Sequence, residues 1–179
     1  MDSSSYIQYE KSKNPDRKNT TSGLSGIELE TWLANSQWNW QLGHHNLISG
    51  LYFKNESLVD KATNQNLEMP ITELDRWAFA VFAEDTWSMS DTFNLTTGLR
   101  YDHDENYDGN FSPRLYGVYN PTDAWTFKGG VSTGYKQPDL RQSSSDVHSV
   151  TGKGSAFIMG NDDLTPEKSL SYELGTAWQ

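Results

Sequence analysis

The sequence contains no cysteine. Disulfides, thiolate metal sites and cysteine nucleophiles are excluded together. It also lacks any apolar run near the ~20 residues that a membrane-spanning helix needs. Hydrophobic residues make up only 35% of the chain, and mean hydropathy is negative. Positive charge is scarce, with 14 Lys+Arg against 24 Asp+Glu and a formal charge of −10. That balance excludes the basic footprint of a nucleic-acid binder. No apolar stretch follows Met1–Ser5, so the start does not read as a secretory signal. At 179 residues the chain has about one domain's length.

Aromatics, in contrast, reach 13%, with 7 Trp, 9 Tyr and 7 Phe. Disordered chains are poor in aromatics. Low hydropathy with many rings suits a sheet with one apolar and one polar face, the arrangement of a transmembrane β-barrel.

Period-two alternation recurs along the chain. Ser4–Glu10 reads as a strand and Asn14–Gly26 as a loop. In Ile27–Leu33, one face carries Ile27, Leu29, Thr31 and Leu33, and the other Glu28 and Glu30. A turn falls around Asn39–His44. His45, Leu47, Ser49, Leu51 and Phe53 then share a face, and Lys54–Asp75 reads as a long polar connection. From Arg76 the pattern is clearest: Trp77, Phe79, Val81, Ala83, Asp85, Trp87 and Met89 lie on one face. After a turn at Ser90-Asp91, Phe93, Leu95, Thr97, Leu99 and Tyr101 continue it. His103–Gly109 is an acidic loop, Phe111–Asn120 a strand, and Asn120–Asp123 a turn. Trp125–Lys136 is a strand, Gln137–Lys168 the longest loop, and Leu170–Trp178 the last strand. Short turns alternate with long loops, as in outer-membrane barrels.

Trp77 and Trp87, and likewise Trp125 and Tyr135, lie 10 residues apart on one face. A tilted transmembrane strand needs ~9–11 residues. These pairs would place a ring at each water–lipid boundary, with Trp40, Trp87, Trp125 and Trp178 at the short-turn end. The opposite face holds Glu84, Arg100, Asp102, Arg114, Lys128 and Lys136, which a wet lumen tolerates. Asp85 is the one carboxylate on the nominal lipid face. Gly98, Gly130 and Gly134 on the polar face suggest a wide interior.

The strings Phe82–Trp87, Leu95–Asp102, Phe111–Tyr116, Thr126–Leu140, Gly160–Lys168 and Tyr172–Gly175 together resemble the barrel of TonB-dependent outer-membrane receptors, over about residues 76–178. The resemblance leans toward ferric-siderophore and colicin receptors. It implies an all-β antiparallel transmembrane barrel of 22 strands, with short periplasmic turns and long extracellular loops around an N-terminal plug. This chain has room for about eight strands at that spacing. No plug-like segment or TonB-contacting motif is found, so residues 1–179 are expected to be a partial barrel domain with the plug domain absent. The resemblance implies active uptake of an Fe(III)-siderophore rather than catalysis. It implies partners in the TonB complex, outer-membrane lipid, lipopolysaccharide, and colicins or phages. The alternatives are a passive porin-like or adhesin-like barrel, and a soluble β-sandwich that binds carbohydrate through its rings.

Ferric catecholates are anionic, so cations with aromatics are the candidate ligand-binding set: Arg114, Tyr135, Lys136, Arg141 and Lys168. The competing reading pairs these cations with carboxylates such as Asp102 or Glu167. Trp77, Trp87, Trp125, Tyr135 and Trp178 are the candidate membrane-interface rings. Gly129–Lys136 fails as a phosphate loop because Tyr135 separates Gly134 from Lys136. Asp102–Gly109 is rich in oxygen ligands but puts Tyr107 and Pro113 where an EF-hand wants Gly and Glu. A looser surface Ca²⁺ site there stands against a plain solvated turn. His44 and His45 face opposite sides of a strand and cannot easily share a metal. Ser143–Asp146 with His148 is explained by loop composition, and no G-x-S-x-G or H-E-x-x-H occurs. No catalytic or metal-ligating residue is expected. Pro166 fits a strand start, with Glu167 anchoring the loop.

Overall fold

The computed structural model describes residues 1–14, 26–60, 71–151 and 156–179. Eight strands form one antiparallel sheet in sequence order. They are β1 (Asp2–Asn14), β2 (Ile27–Leu42), β3 (His45–Asp60), β4 (Thr72–Ser90), β5 (Phe93–Asp104), β6 (Asn110–Thr122), β7 (Trp125–Lys136) and β10 (Glu167–Trp178). Between β7 and β10 a separate hairpin joins β8 (His148–Thr151) and β9 (Ala156–Met159). No helix occurs among the described residues.

Short turns at Gly43-His44, Asp91-Thr92 and Asp123-Ala124 occupy one end of the sheet. Gly43 has φ +63°, the left-handed conformation that a two-residue hairpin loop demands. The longer connections occupy the other end. Pro121 lacks an N–H, and the β6–β7 ladder is irregular between Tyr119 and Thr122 around it. At the far end of β6, Pro113 stands where that ladder stops, next to the Arg114–Ser132 pair.

Register fixes the two faces, since directly paired residues project to the same side. Phe53, Phe79 and His103 form one row, Leu51, Val81 and Tyr101 the next, and Trp87 lies between His45 and Leu95. This outward face continues through Leu115, Val131 and Tyr172. At the short-turn end His45 stacks on Trp87 at 5.3 Å, and Trp125 meets Trp178 at 6.4 Å. At the long-loop end Trp77, Phe79 and His103 cluster within 6.1 Å of one another. Ten residues of strand cover about 34 Å, or about 24 Å along the membrane normal at 45° tilt, close to a barrel's apolar band.

Three sequence expectations change. Both ends of the Lys54–Asp75 connection are strand: β3 runs to Asp60 and β4 starts at Thr72. Of its charges, Lys54 and Glu56 pair with each other, and Glu56 also meets Arg76, 20 residues on. The apolar row Ile27, Leu29, Leu33 pairs with Asp60, Leu58 and Lys54 and so lies on the inner face, whereas Trp32, Ala34, Trp38 and Trp40 face outward. The longest loop is not structureless, since it holds turns and the β8–β9 hairpin. On the inner face Gly130 makes room for a neighbour: a Cβ there would stand 2.5 Å from the Tyr116 ring.

Candidate functional site

The inner face carries cations laid over rings and tied by carboxylates. On β5, the Arg100 guanidinium lies 5.7 Å from the Tyr52 ring and 5.9 Å from the Phe82 ring. Asp102, two residues along the same face, accepts from its Nε at 2.9 and 3.0 Å and stands 2.8 Å from Nη2. A cation held this way keeps a fixed direction and remains part-exposed. One row nearer the turns, Arg114 Nη1 donates to Glu84 Oε2 at 3.1 Å and lies 5.6 Å from the Tyr116 ring. Tyr116 donates to Glu173 Oε1, which Lys128 approaches at 3.5 Å.

Toward the long-loop end the inner face becomes buried. Arg76 on β4 is 6% exposed; its Nη2 donates to Glu56 Oε2 at 3.1 Å and its Nε lies 3.6 Å from Asp104 Oδ2. Register requires this meeting, because Glu56 pairs with Arg76 and Ala78 pairs with Asp104. Water is kept away by residues 137–147, which leave β7 and fold inward across β3 and β4. Arg76 Nη1 donates to Pro138 O at 2.8 Å, Thr72 Oγ1 donates to Asp146 O at 3.1 Å, and Arg141 Nη2 lies 3.5 Å from Asp60 Oδ2. Leu140 and Val147 are buried by this fold-back. Beneath it a cavity of about 330 Å³ is lined by Ile27, Leu29, Leu58, Leu140, Glu56 and Arg141, among others. A second hollow of about 320 Å³ adjoins it through Glu56 and is lined by Gln8, Glu10, Thr31, Tyr52 and Lys54.

The candidate cations do not form a single cluster. Arg114 projects from mid-sheet and Arg141 reaches β3. Lys136 closes the inner-face row of β7, in register with Glu167. Tyr135 and Lys168 pair with each other in the outward row of β7 and β10. By register Tyr135 stands in the outward row, yet its hydroxyl is buried within electrostatic reach of Asp104 and Asp102 on the inner face. β10 begins at Glu167, directly after Pro166. Sequence reasoning missed Arg76, Asp60, Tyr52, Phe82 and Leu140 as site residues. Alternation alone would have placed Phe82 and Arg100 on one face. The contacts of Leu140 and Arg141 needed the fold-back, which no local pattern announces.

Among the described residues no three His, Cys, Asp or Glu groups converge to hold a metal. In the acidic turn after β5, Asp104 is turned inward to Arg76. Its Oδ1 accepts from Asn106 N at 2.9 Å, and Glu105 Oε2 accepts from Trp77 N at 3.3 Å. In the following loop Asp162 accepts from Ser145 N at 2.7 Å and from the Ser145 hydroxyl. These bonds hold the Asp162 carboxyl below the usual aspartate range. The site offers directed cations, rings and an apolar pocket. That chemistry suits an anion with an apolar body.

A family described as TonB dependent receptor-like, beta-barrel matches residues 2–179. The chain is 40% identical to the iron-regulated outer membrane virulence protein of Vibrio cholerae, over 96% of this chain and 24% of that protein. It is 30% identical to the ferric enterobactin receptor of Pseudomonas aeruginosa, over 95% of this chain and 27% of that one. A crystal structure of a variant of the Pseudomonas receptor superimposes with a TM-score of 0.84 at 28% identity, covering 99% of this chain and 30% of that one. The chain thus spans about a quarter of the length of the curated relatives it matches.

Proposed function

The chain belongs to the TonB-dependent receptor β-barrel family of the outer membrane, and from that premise we propose that it is one sector of a receptor that takes up a ferric siderophore. The family is one of receptors, not an enzyme class. The observation that carries the reading is the superposition of the whole sheet on a ferric enterobactin receptor. The inner face adds to it: Arg100, Arg114 and Arg141 are part-exposed cations set beside Tyr52, Phe82, Tyr116 and an apolar pocket. Such a surface suits a bulky anionic chelate with aromatic groups.

On this reading the long-loop end faces the medium and the short turns face the periplasm. Arg114, Lys136 and Arg141 contribute to attraction of the ligand, and Tyr135 and Lys168 act at the rim. The eight strands are a sector of a closed barrel, 22-stranded by resemblance, since β1 and β10 each present an edge that lipid cannot satisfy. A plug and the TonB-engaging region would come from outside residues 1–179. Lipid and lipopolysaccharide would surround the outward face, and colicins or phages would meet the loop end. A surface Ca²⁺ at the 102–109 turn would have to manage without Asp104, which is committed to Arg76. A passive pore is not favoured by the relatives.

The test is iron-limited growth of a receptor-deletion strain complemented with the full-length gene, supplied with ferric enterobactin. Growth that disappears with TonB or with the proton-motive force supports active uptake. Growth that persists without either would return the passive-pore reading.

A further inference from the structure

Below the apolar cavity the inner face changes character from one row of residues to the next. The cavity row sets Ser12, Leu29 and Leu58 side by side. The next row toward the short turns is Glu10, Thr31 and Glu56, and the one after it is Gln8, Leu33 and Lys54. These two rows, with Tyr52 beneath them, line the hollow of about 320 Å³.

Its charges are mostly spent. Lys54 lies 2.7 Å from Glu56 Oε1, and Arg76 donates to Glu56 Oε2 at 3.1 Å. Glu10 enters no ion pair among the described residues, and the Gln8 amide, the Thr31 hydroxyl and the Tyr52 hydroxyl make no side-chain hydrogen bond there. An anionic group would therefore meet the Glu10 carboxylate and no cation that lacks a partner. A cationic group would find one open carboxylate, since Glu56 is already shared between Lys54 and Arg76. What remains is an amide, two hydroxyls and a carboxylate around Leu33, with donors and acceptors side by side. An alcohol both donates and accepts, so this lining matches uncharged hydroxyls.

We propose that the hollow is a subsite for an uncharged, hydroxyl-rich substituent of the ligand, a sugar being the simplest. The anionic body stays above it, beside Arg141 and the apolar cavity. The proposal rests on the reading of the chain as a siderophore receptor and deepens it by naming the substrate class, a ferric chelate glycosylated at its periphery. Sugar hydroxyls at Gln8, Glu10 and Thr31 replace the hydrogen bonds of solvent in kind. A chelate without the sugar leaves those side chains to water, so it binds more weakly without being refused.

The experiment uses the full-length receptor in outer-membrane vesicles, with binding read by quenching of tryptophan fluorescence. The probes are ferric enterobactin and the same ferric chelate carrying one hexose on a catechol ring. The hexose should tighten binding roughly tenfold, the worth of two or three net hydrogen bonds. Thr31→Val and Glu10→Ala should each remove most of that gain, whereas Thr31→Ser should keep it. The quantity compared is the ratio of the two affinities, so a variant weakened overall still reports. Ferric enterobactin affinity close to the parent's shows that a variant is folded. The subsite is overturned if the parent binds both chelates equally, or if the preference survives Thr31→Val combined with Glu10→Ala. If ferric enterobactin binds and the hexose adds nothing, the subsite alone falls. If neither chelate binds, the siderophore reading falls and takes the subsite with it.

Discussion

His45 Nδ1 lies 2.7 Å from Asp85 Oδ2 on the outward face, with the imidazole stacked on Trp87. Asp85 is the carboxylate that the alternation pattern places toward lipid. Its tolerance has two causes: a partner one strand away, and a position next to the short turns, where charge costs ~0–1 kcal/mol rather than the midplane penalty. His45→Leu should cost more than His45→Leu with Asp85→Leu, by about 1–2 kcal/mol, because the single change leaves Asp85 without that partner. Urea unfolding in lipid vesicles, run as a double-mutant cycle, measures the difference.

Arg76 is the counter-charge for two carboxylates, Glu56 and the fully buried Asp104. Arg76→Met should destabilise the sheet by roughly 3–5 kcal/mol, the cost of uncovering buried charge. Arg76→Lys should lose less, since the charge stays and only the fork geometry goes. The folded fraction recovered in outer membranes, and its urea midpoint, report both.

Labels at Phe79, Leu95 and Val131 should be accessible to oxygen and shielded from a water-soluble relaxation agent. Labels at Arg100 and Lys128, on the opposite face, should show the reverse. Aqueous behaviour at all three outward positions would remove the membrane assignment.

The Asp162 carboxyl is held low by the Ser145 amide and hydroxyl. Its folded value lies below the unfolded one, so the stabilisation is complete above the unfolded pKa and is lost as pH falls through the folded one. Hydrogen exchange at the Ser145 amide, corrected for intrinsic rate, should be protected at neutral pH and lose protection below about pH 4. Asp162→Asn should flatten that dependence.

The strands were legible because the outward face alternates from Trp77 to Trp87, interrupted by Asp85, and from Trp125 to Val131, with Gly129 between. The long-loop ends of β2 and β3 were not. There the strands project past the boundary rings, and the apolar side of β2 turns inward to meet Leu140. A rule that equates apolar with outward fails where a distant segment supplies the cover. The same distance hid Arg76: Glu56 stands 20 residues before it and Pro138 stands 62 after it. Arg114 and Lys128 were placed on the wet face by parity alone, while their partners Glu84 and Glu173 follow only from register.

Residues 137–147 run from the end of β7 to contacts on β3 and β4, skipping β5 and β6. Backbone pairing alone would leave the outer rim of these strands free to splay or close like the staves of an unhooped cask. A tether from Pro138 to Arg76 and from Arg141 to Asp60 sets the chord of that arc. The mouth in this sector is therefore braced both by the ladder, which runs to the Asp60–Thr72 pair, and by side-chain ties that cross it.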